Sequence, residues 1–221
     1  MEKKEERTTT LLKCVVLGSS NVGKTSLLTQ FIHGRFDSTR RATTGADFAS
    51  RVLEIDQGRK IRLVIWDTAG QERFHHGTLG NAFYRGADGA LLVYDTTDIR
   101  SFEQIEMWRG ELLQRVQGPP DEFPVVVVGN KIDIPSETRD SEFAAVQKWC
   151  RDLGIGICLT SAKDGTGVLA AMEAIAHLAY EAKQRRGKSS HSSLNDRDTL
   201  ALDNIRRNNR GAVDSSSSCC K

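Results

Sequence analysis

Apolar residues recur along this chain in two rhythms that take turns. Leu11-Leu12-Lys13-Cys14-Val15-Val16-Leu17 is an apolar run of strand length, while Ser26-Leu27-Leu28-Thr29-Gln30-Phe31-Ile32 carries apolar residues at helical spacing. Residues Gly34 to Gly45 are polar and aperiodic, so they read as a loop. Phe48 to Ile55 and Arg59 to Trp66 then alternate or run apolar around Asp56-Gln57-Gly58, which predicts two antiparallel strands joined by a hairpin turn. His75 to Gly80 is loop-like, Asn81 to Arg85 reads as a short helix, and Gly89 to Asp95 is a buried strand. A helix follows, with Ser101 read as its N-cap and Phe102, Ile105, Trp108, Leu112 and Val116 on its apolar side, ending at Gly118-Pro119-Pro120. Pro124 to Val128 is a strand whose uninterrupted β-branched run implies cover on both faces. Ser141 to Leu153 reads as a helix, Ile155 to Leu159 as a strand and Val168 to Ala182 as the last helix.

Strands alternating with helices call for a mostly parallel sheet covered on both faces, with ligand sites at the carboxyl ends of the strands. The expected fold is α/β: a mostly parallel six-stranded sheet with one antiparallel edge strand and helices on both faces. The expected divisions are an N-terminal extension over 1–10, one domain over 11–185 and a flexible tail over 186–221, rich in serine, asparagine and charge.

Composition adds limits. With 221 residues, 38% hydrophobic and 27% charged, the chain supports one sizeable core. Its first residues are too charged for a secretory signal, and no apolar run approaches membrane-spanning length. Cys14, Cys150 and Cys158 lie in apolar stretches and read as reduced core residues. The net charge is +2, but the segment from Glu181 onward holds nine Lys and Arg against five Asp and Glu. A basic tail on a slightly acidic body suits an anionic membrane surface, and nothing in the body reads as a nucleic-acid-binding element.

The candidate chemistry begins at Gly18-Ser19-Ser20-Asn21-Val22-Gly23-Lys24-Thr25, which fits G-x-x-x-x-G-K-[ST] between a strand and a helix. The glycines let successive amides face one anion, and the helix N-terminus adds a favourable dipole. Lys24 would reach the terminal phosphates, and the Thr25 hydroxyl would take one position on Mg²⁺. Trp66-Asp67-Thr68-Ala69-Gly70 places an acid at a strand end, where such an acid holds the magnesium shell. Asn130-Lys131-Ile132-Asp133 supplies a carboxylate that accepts from the ring N–H and exocyclic amine of guanine, a donor pair that adenine lacks. Lys131 offers an apolar stem to the base plane, and Asn130 can tie the base loop to the phosphate loop. Ser161-Ala162-Lys163 follows the next strand, where the Ala162 N–H can donate to the guanine carbonyl. A P-loop ATPase or kinase and a nucleotide-holding scaffold without useful hydrolysis are the alternatives; Asp133 opposes the first.

From Leu11 to about Ala182 the chain resembles the small GTPases of the Ras superfamily, and within them the Rab branch. Rab-like wording appears at Thr44-Gly45-Ala46-Asp47-Phe48, Gln71-Glu72-Arg73-Phe74, Phe83-Tyr84-Arg85-Gly86-Ala87 and Leu92-Val93-Tyr94-Asp95-Thr96-Thr97, in a combination most similar to the late-endosomal, lysosome-directed group. The resemblance implies slow GTP hydrolysis to GDP by in-line attack of water. Thr43 would close over Mg²⁺ and the γ-phosphate, the Gly70 amide would sense that phosphate, and Gln71 would orient the water. Ser26 completes the phosphate loop, Phe36 matches the aromatic that covers guanine, and Phe48, Trp66 and Phe83 match the trio displayed to trafficking effectors. Cys219 and Cys220 look like geranylgeranylation sites, anchoring the chain to the cytoplasmic face of late endosomes or lysosomes between cycles through the cytosol. The implied partners are an exchange factor, an activating protein, a GDP dissociation inhibitor, the Rab escort protein and its transferase; the chain itself would act as a monomer. Three features depart from the Rab pattern: Thr44 replaces isoleucine, the Phe74 to Tyr84 segment is two residues longer, and Lys221 follows the cysteines.

Overall fold

The computed structural model describes residues 9–39, 43, 46–55, 58–68 and 83–188. The expected turn residues Asp56 and Gln57, the segment from Ala69 to Ala82 and the tail from residue 189 lie outside them. The strands are β1 (Thr10–Leu17), β2 (Ala46–Ile55), β3 (Arg59–Thr68), β4 (Gly89–Asp95), β5 (Val125–Asn130) and β6 (Gly156–Leu159). They form one six-stranded sheet in the order β2-β3-β1-β4-β5-β6. β2 and β3 pair antiparallel, with Phe48 opposite Trp66, and every other pairing is parallel. The helices are α1 (Lys24–His33), α2 (Ile99–Glu103), α3 (Ile105–Arg115), α4 (Arg139–Asp152) and α5, which starts at residue 168.

Alternation along β1 sorts its side chains between two cores. Leu12, Cys14 and Val16 join Leu27 and Phe31 of α1 and Met172, Ile175 and Ala179 of α5. Val15 and Leu17 point the other way, toward Ile105, Trp108 and Leu112 of α3 and Val146 and Cys150 of α4. All seven residues of β4 and all six of β5 are buried, as expected of central parallel strands covered on both sides. Cys14, Cys150 and Cys158 are free thiols, and burial pushes Cys150 up to about 11.

One expected boundary is corrected. Ser101 does not cap a helix: it is buried inside α2, where its Oγ accepts from the Asp95 N–H at 2.9 Å and donates to the Asp98 carbonyl at 2.7 Å. Asp98 is the N-cap, and its side chain accepts from the Arg100 N–H. The single expected helix is also two, broken at Gln104.

The chain divides into two units, Met1–Ala182 and Lys183–Lys221. Within the first, α5 is helical from residue 168 through 182; in the second, residues 183–188 are helical.

Candidate functional site

The carboxyl ends of β1, β3, β4 and β5 bring the motifs together. The loop after β1 turns through Gly18 at φ 145° and reaches α1 through Gly23 at φ 96°. A Cβ on Gly18 would lie 2.2 Å from the Val93 carbonyl oxygen, so the loop rests directly on the backbone of β4. Gly23 stands at the N-cap of α1 and makes no side-chain cap bond, which presents the first-turn amides to the loop's concavity. Lys24 is only 5% exposed, and its ammonium donates to the carbonyls of Gly18 at 2.8 Å and Ser19 at 2.7 Å. Those carbonyls hold a buried positive charge over the loop, beside the amides that would meet a phosphate. Ser19 is half-buried, Ser20 and Asn21 are exposed, Val22 is buried and Ser26 is half-buried. Asn21 adopts φ 61°, a left-handed conformation that asparagine tolerates better than most residues.

Three oxygens converge at the start of α1. The hydroxyls of Thr25 and Thr43 are 2.7 Å apart, and the Thr25 hydroxyl donates to Asp67 Oδ2 at 2.5 Å. Asp67, at the end of β3, is 1% exposed. Two hydroxyls and a buried carboxylate within hydrogen-bond reach are hard oxygen donors of the kind that suit Mg²⁺, whose remaining positions are filled by phosphate oxygens and water. Gly70 and Gln71 lie outside the described residues.

The second cluster surrounds the end of β5. Asn130 is buried; its Nδ2 donates to the Val22 carbonyl at 2.9 Å, and its Oδ1 accepts from Thr160 Oγ1 at 3.2 Å and from the Ala162 N–H at 3.1 Å. The amide expected to face a base carbonyl is thus engaged with Asn130 here. Asp133 Oδ1 accepts from Ser161 Oγ at 2.7 Å, and Lys163 Nζ lies 3.8 Å from Oδ2. Ser161 Oγ in turn accepts from the N–H groups of Lys163 and Asp164, so the loop is cross-braced around one hydroxyl. Lys131 takes φ 69°, and its ammonium pairs with Asp95 Oδ2 at 2.6 Å. Burial pushes the Asp95 carboxyl up, but bonds from Lys131 and from the side chain and N–H of Thr97 outweigh it and hold it below the ordinary carboxylate value. Phe36 stands 42% exposed after α1.

Phe48, Trp66 and Phe83 form a row, with ring centroids 5.8 Å apart for the first pair and 6.1 Å for the second. They differ in access: Phe48 is 66% exposed and Phe83 4%. Lys13 Nζ sits 4.3 Å from the Trp66 ring centroid and donates to the Arg85 carbonyl. Apolar rhythm and motif spacing do not mark Asp95, Lys13 or Thr160 as parts of the site. For Asp95 a signal exists, a carboxylate at the carboxyl end of an apolar strand, where ligand sites gather.

Residues 13–181 match the Ras family profile. The chain belongs to the Ras family. It is 48% identical over 171 residues to Ras-related protein Rab-7a of Paramecium octaurelia, covering 76% of this chain and 81% of that protein. It is 40% identical over 195 residues to the Ypt/Rab-type GTPase YPT7 of Saccharomyces cerevisiae, covering 87% and 93%, and 45% identical over 177 residues to Rab7 of Drosophila melanogaster, covering 79% and 83%. It is therefore a small GTPase of the Rab branch, in the group these relatives represent. The observed sheet, five parallel strands and one antiparallel, is the Ras-type fold.

Proposed function

We propose that this Rab protein works as a GTP-dependent switch on the cytoplasmic face of late-endosomal or lysosomal membranes, with Thr43 as a residue that responds to the γ-phosphate. The observation that carries this is the 2.7 Å approach of the Thr43 hydroxyl to that of Thr25 beside Asp67. It supports a loop that closes onto the phosphate end of the site when GTP is bound and relaxes when the γ-phosphate is gone. Thr25, Thr43 and Asp67 would hold Mg²⁺, which would supply positive charge to offset that of the phosphates. Lys24 places its ammonium against the same oxygens, and the loop amides from Ser20 to Thr25 orient the phosphate chain for in-line attack. Gln71 positions the water and the Gly70 amide reads the γ-phosphate. Asp133, braced by Ser161, would accept from the guanine edge and the Lys131 stem and Phe36 would enclose the ring, while Ala162, whose N–H is bonded to Asn130, would meet the base carbonyl only by sharing that N–H. Turnover is slow until an activating protein completes the transition-state cage.

The partners of the cycle would be an exchange factor, that activating protein, a GDP dissociation inhibitor, the escort protein with its geranylgeranyl transferase, and effectors that read Phe48, Trp66 and Phe83. Cys219 and Cys220, outside the described residues, would carry two prenyl chains, which anchor stably where one is marginal. Imaging the tagged chain tests the reading. Gln71→Leu should mark late endosomes or lysosomes, and a Cys219→Ser, Cys220→Ser pair should disperse into the cytosol. A Golgi or plasma-membrane pattern for Gln71→Leu, or membrane retention of the cysteine variant, would overturn it.

A further inference from the structure

The break between α2 and α3 has a chemical counterpart in the phosphate loop. Gln104 occupies the position preceding α3, where a side chain ordinarily returns an oxygen to the helix's own first turn. It makes no such bond. Its Oε1 instead accepts a hydrogen bond from Ser19 Oγ at 2.6 Å, across 85 residues of sequence. Ser19 is one of the two residues whose carbonyls hold the Lys24 ammonium, Ser19 at 2.7 Å and Gly18 at 2.8 Å. One residue of the loop is thus gripped from outside by Gln104 while it grips the phosphate-facing lysine from within.

The frame behind Gln104 is fixed to the strand on which the loop also rests. Ser101 Oγ joins α2 to the backbone of Asp95 at the end of β4. The Phe102 ring lies edge-on between Tyr94 and Trp149, with centroid separations of 5.3 and 5.5 Å. The loop meets β4 at Gly18, over the Val93 carbonyl. Loop and helix break therefore share one reference, and the Ser19 to Gln104 bond closes the circuit between them.

We infer that Gln104 is a positioning residue for the phosphate loop: through Ser19 it holds one of the carbonyls that seat Lys24, and so slows release of bound nucleotide. This rests on the reading of residues 18–25 as the phosphate cradle. The test is the dissociation rate of a fluorescent GDP from the purified full chain in the presence of Mg²⁺. Gln104→Ala should release GDP about three- to tenfold faster, the worth of one neutral hydrogen bond. Ser19→Ala should do the same, and the double variant should be no faster than either single one, because both remove one interaction. Gln104→Met, which keeps the length and charge of the side chain but removes the acceptor, should release GDP as fast as Gln104→Ala. Rates that multiply in the double variant, an unchanged rate in Gln104→Ala, or a Gln104→Met as slow as the wild type would each overturn the inference. Lys24→Ala separates this from the reading beneath it: undiminished GDP binding there would remove the cradle itself.

Discussion

Asn130 reaches across 108 residues of sequence to donate a 2.9 Å hydrogen bond to the carbonyl of Val22, fastening the base-side loop to the phosphate loop. The same amide accepts from Thr160 and Ala162, so three separate loops share one buried side chain. Asn130→Ala leaves the Val22 carbonyl, the Thr160 hydroxyl and the Ala162 N–H without this partner. The expected cost is about 2–4 kcal/mol, on the scale of orphaned buried polar groups. Urea unfolding of the GDP-bound protein should show that loss, together with weaker GDP binding.

Two glycine substitutions should separate close approach from ordinary helix chemistry. At Gly18 a Cβ would sit 2.2 Å from the Val93 carbonyl oxygen on a backbone at φ 145°, a conflict that no rotamer relieves. Gly18→Ala is expected to lose nucleotide binding and at least about 3 kcal/mol of stability. Gly110, inside α3, has open space where its Cβ would be. Gly110→Ala should stabilise by about 0.5–1 kcal/mol, read from thermal or urea unfolding.

The aromatic row yields a prediction that divides display from packing. Phe48 is 66% exposed and sets its ring against Trp66, so Phe48→Ala should cost no more than about 1.5 kcal/mol while weakening effector capture by the GTP-loaded protein. Phe83, 4% exposed and in edge contact with Trp66 and Tyr84, is core: Phe83→Ala should cost about 3–5 kcal/mol. Calorimetric melting of both variants beside a pull-down on an effector domain reads the contrast.

What the sequence made legible and what it hid divide along a physical line. The glycines and lysine of residues 18–25 and the apolar run of residues 11–17 are local signals, and so is the unbroken run of β5 into Asn130. The break at Gln104 was hidden, because Phe102, Ile105, Trp108 and Leu112 keep helical spacing across it and apolar periodicity does not register one altered backbone bond. Ser101 looks like a cap in the sequence for a related reason. Serine favours a cap by propensity, but its hydroxyl here had a stronger claim from Asp95 across the loop. The pairing of Lys131 with Asp95 likewise depends on two strands becoming neighbours, which spacing within either strand cannot report.

That pair makes stability depend on acid. The Asp95 carboxyl is held below its ordinary value in the folded protein, so its contribution is complete above the unfolded value of about 4 and is lost as pH falls through the lower folded value. Asp95→Asn should therefore lower stability at pH 7, by about 1–3 kcal/mol for bonds to charged groups, and flatten the decline of the urea midpoint below pH 4. An acid limb as steep as that of the wild type would refute the assignment.

The base-recognition reading makes the sharpest demand on Asp133. Its Oδ1 accepts from Ser161 Oγ at 2.7 Å, which holds the carboxylate in one orientation. Replacing it with an amide puts a donor where guanine also donates, so Asp133→Asn should weaken GDP binding by roughly a hundredfold or more. Xanthine carries a ring carbonyl where guanine carries its exocyclic amine, and that carbonyl accepts from the new amide. The variant should accordingly prefer xanthosine diphosphate over GDP in direct competition, with its fold intact by circular dichroism. A variant that still held GDP as tightly as the wild type would show that the base is read by other groups. The preference reversal, rather than the loss alone, distinguishes a recognising carboxylate from one that merely braces the loop through Ser161.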